Sequence, residues 1–170
     1  MKKAAGIRLL ILDVDGVLSD GSLYYGRSGE ELKMFNALDG TGIKWLLRAG
    51  VEVALLTGRR SHQVDARARD LGVKIVIQDA KQKLPGFERI LDETKVPAEQ
   101  AAFMGDDLLD LPVLRRVGIS MAPADAVSEV REQVEWVSSR PGGRGAVREA
   151  CELLLKAIGK WEDITAPYQE

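Results

Sequence analysis

Ile7-Arg8-Leu9-Leu10-Ile11-Leu12-Asp13-Val14-Asp15-Gly16 is the stretch on which the fold turns. Its first six residues are nearly all apolar, the run expected of a strand buried on both faces in a parallel sheet. The run ends abruptly at Asp13. Two carboxylates two residues apart follow, and extended backbone can bring both to one side while Gly16 lets the chain bend away. In an open sheet flanked by helices, ligands bind beyond the carboxyl ends of the strands, so this is a position for chemistry.

Outward from there, residues 21–35 alternate in two short segments around a turn at 26–29, a β-hairpin. After Asp39-Gly40 the apolar positions Ile43, Leu46 and Leu47 keep helical spacing up to Gly50. Strands are then expected at 51–56, 73–77, 101–104, 118–121 and 136–137, with helices at 61–71, 83–93, 108–117, 124–132 and 145–158. Alternating strands and helices define the fold class as α/β, with a doubly wound, mostly parallel sheet. No linker or repeat divides the chain, so one domain over 1–170 is expected, ending in a flexible tail from about 160 to 170.

The 170 residues are 45% apolar and 29% charged, an ordinary globular balance with enough chain to bury a core. With 24 basic against 26 acidic residues the formal net charge is −2, so no field is available to hold a nucleic-acid backbone or an anionic membrane. No apolar run nears the ~18 residues of a spanning helix, and no secretory signal is visible. Neither nucleic acid nor membrane is an expected partner. Cys151 is the only cysteine, which rules out an intrachain disulfide and suits a cytoplasmic setting; no Arg follows it to hold a phosphate, and it reads as core. His62, the only histidine, excludes a multi-histidine zinc site and reads as a solvated helix residue. The stretch from Gly21 to Ser28 approaches a nucleotide-binding loop, but Arg27 stands where Lys is needed and two tyrosines follow a strand pattern. Chemistry is left to carboxylates, Lys, Arg and hydroxyls.

The residues that follow the other strands belong to the same edge: Thr57 and Gly58, Lys83 a few positions on, then Asp106, Asp107 and Asp110. Gathered there, the carboxylates repel one another, and a divalent cation is the simplest remedy. Oxygen-only donors favour Mg²⁺. Thr57 and Lys83 add a hydroxyl and a cation suited to the oxygens of a phosphoryl group in transfer. With no usable Cys or His, the expected nucleophile is an aspartate that forms an acyl-phosphate, while a second carboxylate acts first as acid and then as base. Asp13 and Asp15 can divide these roles.

In order along the chain, Asp13-Val14-Asp15-Gly16-Val17, Thr57-Gly58, Lys83 and Gly105-Asp106-Asp107-Leu108-Leu109-Asp110 resemble the four signature motifs of the haloacid dehalogenase superfamily. Further stretches are similar to its 3-deoxy-D-manno-octulosonate 8-phosphate phosphatase family, which serves the making of the Kdo sugar of lipopolysaccharide. They are Asp20-Gly21, Gly29-Glu30-Glu31-Leu32-Lys33, Phe35-Asn36, Asp39-Gly40, Thr57-Gly58-Arg59 and Gly142-Gly143-Arg144-Gly145. The resemblance implies a Rossmann-like core without a large cap domain. It makes Asp13 the nucleophile and Asp15 the acid/base. Mg²⁺ would be held by Asp13, the Asp15 main-chain carbonyl and Asp106, with Asp107 or Asp110 behind.

The same resemblance puts Thr57 and Lys83 on the phosphoryl group. It places substrate contacts at Asp15, Asn36, Asp39, Gly40, Lys44, Thr57, Gly58, Arg59, Arg67 and Lys83. The implied partner is a small phosphorylated sugar acid, whose carboxylate and phosphate both suit arginine forks. Relatives acting on nine-carbon sugar-acid 9-phosphates tend to carry Glu after the Thr-Gly pair. Arg59 therefore favours the eight-carbon substrate, with the nine-carbon one as the alternative.

The hairpin and one helix use most of the chain between Asp15 and Thr57, which leaves no room for a lid domain. Neighbouring subunits are expected to cover the site, and the resemblance implies a homotetramer in which the hairpins pack together. Phosphotransfer to a sugar hydroxyl stays open. So does a reading of another class, a non-enzymatic phospho-receiver module, which also gathers aspartates, Thr and Lys on a doubly wound sheet. Its acceptor normally follows a central strand rather than the first, and it gives Asp15 no role.

Overall fold

The computed structural model describes residues 2–29 and 31–169; Met1 and Glu170, the ends of the expected domain and tail, and Glu30 of the expected hairpin lie outside the described residues. From the N-terminus, β1 (Leu9–Leu12) leads to the hairpin β2 (Tyr24–Tyr25) and β3 (Glu31–Leu32), then α1 (Ala37–Arg48), β4 (Glu52–Leu56) and α2 (His62–Leu71). The second half runs β5 (Ile75–Ile77), α3 (Lys83–Thr94), β6 (Ala101–Met104), α4 (Leu111–Leu114), β7 (Ile119–Ala122), α5 (Ser128–Arg131), β8 (Trp136–Val137), α6 (Ala146–Ala157) and α7 (Trp161–Thr165). The main sheet has the order β5-β4-β1-β6-β7-β8, every pair parallel. The chain winds outward from β1 to β5 and returns with β6 on the other side of β1. The strand order therefore reverses between β1 and β6, which is where such sheets open a crevice. Asp13 and Asp106 lie just beyond those two strands.

Side chains alternate across β1, and both layers are apolar. Leu10 and Leu12 pack with Ile43 and Leu46 of α1, Val64 of α2, and Val147 and Leu154 of α6. Leu9 and Ile11 pack with Phe87 and Ile90 of α3 and Val113 of α4. Each fully buried Leu or Ile contributes roughly 1.5–3 kcal/mol of transfer free energy, so a polar residue anywhere in β1 has no solvated face to turn to. Cys151 is buried in the first layer, as its apolar setting suggests.

Helix ends follow local chemistry. Ser61 caps α2 through its hydroxyl and Gly72 closes it. α1 starts earlier than the apolar spacing suggests because Asn36 Oδ1 accepts from the N–H groups of Leu38 and Asp39. The helix expected over 108–117 is instead a 3₁₀ turn, Leu108–Asp110, followed by α4. Asp107 and Asp110 form a capping box there, and Pro112 sits in the first turn of α4. Only α5 forms within 124–132; ahead of it, Val127 N–H donates to the Asp106 carbonyl at 3.0 Å, tying this segment to the loop after β6. Within the stretch expected as a tail, α7 is followed by a 3₁₀ turn, Ala166–Tyr168. Trp161 of α7 stands edge-on to Trp45 with ring centres 5.9 Å apart, and Tyr168 lies 5.9 Å from the same ring, aromatic contacts that offset the cost of ordering a terminus.

One long-range contact joins α1 to α6. The fully buried Asp39 carboxylate accepts from Gly145 N–H at 3.3 Å and Arg148 N–H at 2.7 Å, capping α6 where no local side chain does. Just upstream, Gly142 lies so close to the Gly16 carbonyl that a Cβ would come within 1.8 Å of its oxygen. Gly143 N–H donates to the Val17 carbonyl at 2.9 Å. The loop before α6 thus braces the loop after β1 backbone against backbone. Among the described residues, no helix is long and apolar enough to cross a membrane.

Candidate active site

The ladder with β6 extends one residue beyond β1: Asp13 N–H donates to the Met104 carbonyl at 3.0 Å, which fixes the backbone from which its side chain turns into the crevice. Val14 N–H donates to Asp13 Oδ1 at 2.7 Å, and Lys83 Nζ lies 2.7 Å from Oδ2. Lys83, at the start of α3, also reaches Asp110 Oδ1 at 2.5 Å. The other oxygen of Asp110 accepts from the N–H groups of Asp106 and Asp107 at 2.9 and 3.2 Å, folding the loop after β6 back on itself. Thr57 follows β4, buried, with its N–H on the Ile77 carbonyl. Strand ends therefore bring Asp13, Thr57, Lys83, Asp106 and Asp110 to one cleft of about 270 Å³.

One carboxylate oxygen each from Asp13, Asp106 and Asp110 lie within 4.8 Å of one another. Burial raises the pKa of Asp13 to about 6, against the pull of Lys83. Burial also pushes Asp106 up to about 8, and the charges of Asp13 and Asp110 add to the rise. For Lys83 burial works against the ammonium, yet Asp13 and Asp110 hold its pKa above the ordinary lysine range. One cation against three crowded carboxylates leaves the cleft short of positive charge, and an all-oxygen donor set of this kind fits a divalent cation. Acidic groups often cluster on surfaces without an ion; burial of Asp13 and Asp110 sets this trio apart. Gly16 makes room for it. At φ 82° a Cβ there would lie 2.0 Å from Asp106 Oδ2, so any side chain displaces that carboxylate.

Asp15 stands at the rim, outside the trio. Lys33 Nζ lies 2.5 Å from its Oδ1 and 2.6 Å from Glu31 Oε1, while Arg59 Nη2 lies 2.5 Å from Glu31 Oε2. Gly58 and Arg59, two of the expected substrate contacts, line the cleft. Five other expected contacts do not line the cleft of this chain. Asn36 caps α1, and Asp39 caps α6 from inside the core. Arg67 donates to the Asn36 carbonyl at 2.8 Å and packs over Phe35, with Gly40 beneath its guanidinium. Lys44 is exposed on α1, 3.6 Å from Asp70. Of the two carboxylates expected behind the metal, Asp110 is itself one of the trio, whereas Asp107 is exposed and caps Leu108. Sequence reasoning misses Lys33 and Glu31 as site residues. Their i, i+2 spacing puts both on one strand face, but only docking of the hairpin shows that this face meets Asp15.

A crevice at the switch point of a doubly wound sheet, floored by a lysine-paired aspartate and two more carboxylates, has the form of a haloacid dehalogenase-like hydrolase site, and a family model of that description matches residues 29–118. Over 163 residues the chain is 48% identical to the "3-deoxy-D-manno-octulosonate 8-phosphate phosphatase KdsC" of Escherichia coli (strain B / BL21-DE3), covering 96% of this chain and 87% of that one. The crystal structure of the 3-deoxy-D-manno-octulosonate 8-phosphate phosphatase from Yersinia pestis superposes with a TM-score of 0.93 at 46% identity, over 95% of this chain and 87% of that one. The Moraxella catarrhalis phosphatase of the same name, in complex with magnesium ion, phosphate ion and a KDO molecule, gives a TM-score of 0.96 at 37% identity, over 99% and 97%. The chain belongs to the 3-deoxy-D-manno-octulosonate 8-phosphate phosphatase family and is a phosphoric monoester hydrolase. The receiver-module reading is set aside by that membership.

Proposed function

We propose that this chain hydrolyses 3-deoxy-D-manno-octulosonate 8-phosphate to Kdo and inorganic phosphate, with Mg²⁺ as cofactor and an aspartyl-phosphate on Asp13 as intermediate. The observation that carries this reading is the Asp13–Lys83–Asp110 chain of contacts at the switch point, a buried carboxylate held toward the cleft beside a cation. The relatives' names and the Moraxella complex support the substrate. So does Arg59, a half-exposed guanidinium that lines the cleft while paired with Glu31, the type of group suited to a sugar-acid carboxylate. The same residue favours the eight-carbon acid over the nine-carbon one.

The chemistry divides between two aspartates. A carboxylate oxygen of Asp13 bonds to phosphorus as the bond to the sugar oxygen breaks, and that oxygen takes a proton from Asp15. Water then gives a proton to Asp15 while its oxygen bonds to phosphorus, releasing phosphate and restoring Asp13. Lys83 and Thr57 hold phosphoryl oxygens, and Lys83 keeps Asp13 ionised against the effect of burial. Asp13, the Asp15 carbonyl and Asp106 would hold Mg²⁺, with Asp110 behind. When bound, the cation supplies the positive charge that crowded carboxylates and an incoming phosphate require.

Leu23, Tyr24, Tyr25, Leu32, Met34 and Leu38 expose apolar surface along the hairpin and the start of α1. An acyl-phosphate without cover is open to bulk water, and this apolar rim supports a homotetramer in which neighbouring hairpins pack together over the sites. A cytoplasmic role in lipopolysaccharide synthesis belongs to the same proposal. Phosphate release from a panel of six- to nine-carbon phospho-sugar acids, with Mg²⁺ or with chelator, tests it. The eight-carbon 8-phosphate should turn over fastest and chelator should stop it. Equal rates across the panel, or indifference to chelator, would reject the reading.

A further inference from the structure

The hairpin carries charges that the proposed reaction leaves unused. Lys33 directly follows β3 of a two-stranded ribbon whose apolar side chains face solvent, yet its own side chain is only 1% exposed. Its ammonium is shared between Asp15 Oδ1 at 2.5 Å and Glu31 Oε1 at 2.6 Å. Burying an ammonium is costly unless carboxylates compensate it. Burial works against the Lys33 charge, and the bonds to Asp15 and Glu31 outweigh it. A lysine so enclosed is not offered to substrate. Its contact with the reacting groups is one oxygen of Asp15.

We propose that Lys33 is a positioning residue for Asp15, pinning one carboxylate oxygen so that the other is presented to the leaving oxygen and then to the attacking water. The inference rests on Asp15 as acid and base. With Oδ1 held by Lys33, Oδ2 is the oxygen left to work; it stands 3.8 Å from Arg59 Nε. An acid free to rotate is aligned with the breaking bond for less of the time, and a misplacement of about 1 Å costs on the order of 100-fold in rate. Glu31 steadies Lys33 from the other side and also pairs with Arg59, so seating the hairpin and aiming the acid are one event. Lys33 keeps its proton throughout. The proton that moves is the one on Asp15.

The test uses the Mg²⁺-loaded full chain and phosphate monoesters that lack a carboxylate, from para-nitrophenyl phosphate to simple alkyl phosphates. Good leaving groups need little help from an acid and poor ones need much, and kcat/KM reports the steps through departure of the alcohol. Two variants are compared, Lys33→Met and Lys33→Met/Glu31→Gln; the second removes the carboxylate that the first leaves unpaired opposite Asp15. In both, kcat/KM should fall at least about tenfold more for alkyl than for aryl esters, with Asp15→Asn showing the same contrast more strongly. An equal loss across the series in both Lys33 variants, while Asp15→Asn keeps the contrast, overturns the role of Lys33 alone. An equal loss in Asp15→Asn removes the acid role of Asp15, and this inference with it.

Discussion

The floor of the cleft and the hairpin at its rim meet at Asp15, yet they are built on opposite terms. On the floor, strand ends hold the backbone, Asp13, Lys83 and Asp110 are buried, and each finds its partner within the chain. The rim is a pair of two-residue strands with Tyr25 at 62% and Leu32 at 53% exposure, fastened to the body by one enclosed lysine, one arginine and a bond from the Gln63 amide to the Glu31 carbonyl. A parallel sheet buried on both faces gives the floor its rigidity, whereas a lone two-stranded ribbon is marginal by itself. On the proposed reading, the chemistry is therefore complete in one chain, while the cover over it would come from its neighbours.

The contrast breaks most decisively if the floor proves dispensable. Asp13→Asn keeps an oxygen to accept from Val14 N–H but loses the proposed nucleophile. Phosphate release should drop by about 10⁴-fold or more with melting behaviour retained, and activity within a hundredfold of the parent would move the nucleophile elsewhere.

Metal removal touches the floor alone. Asp13 and Asp106 have folded-state pKa values raised from 3.8 to about 6 and about 8. Groups raised in this way contribute stability that is fully present below the unfolded value of 3.8 and is lost as pH rises through about 6 and about 8. The metal-free protein should thus melt at progressively lower temperature between about pH 5 and about pH 9. Mg²⁺ at a fixed concentration, about 100 times its Kd at the upper end of that range, should restore about 2.7 kcal/mol there, and the shift in Tm should grow with pH as the carboxylates that hold the cation lose their protons. Melting curves in chelator and in Mg²⁺ across that range check this; a Mg²⁺ shift independent of pH contradicts it.

The rim is tested by charge. Tyr25→Asp with Leu32→Asp should split the assembly, seen by light scattering, and lower kcat/KM for the sugar-acid phosphate by about 10- to 100-fold, with a smaller loss on para-nitrophenyl phosphate. A parent protein that is monomeric and fully active would show that the rim needs no cover.

The same division explains what can be read from the chain before it folds. Apolar runs of period two and helical stripes place β6 and β8 residue for residue and α2 and α3 to within one, because burial and caps such as Ser61 and Gly72 are local. The carboxylates Asp13, Asp106 and Asp110, with Thr57 and Lys83, are legible for a related reason: each follows an element whose end is visible. The segment 108–117 is not, since its apolar spacing conceals the reciprocal Asp107–Asp110 capping and the fresh helix start at Leu111 with Pro112 in its first turn. Asp39 and Lys33 depend on partners far along the chain or on how a ribbon docks, and no local pattern reports either. The contact of Trp161 is hidden likewise, since it is made to a Trp45 ring more than a hundred residues upstream.

The smallest expected effect lies on the seam between the two regions. Asn36 stands where the ribbon gives way to α1; its side chain accepts from Leu38 and Asp39 N–H at 2.8 and 3.3 Å, and Arg67 holds its carbonyl. A side chain so engaged serves the helix, and Asn36→Ala should cost about 1 kcal/mol, read as a Tm lower by roughly 2–4 °C in a domain of this size. Asn36→Asp, which caps as well, should recover most of that loss. KM for the sugar-acid phosphate then stays at the parent value in both variants. A KM raised in both, the Asp variant included, would instead mean that substrate reaches this residue in the assembled enzyme. Asn36 would in that case belong to the binding surface that the rim completes, and the line between floor and rim would have to be drawn one turn further into α1.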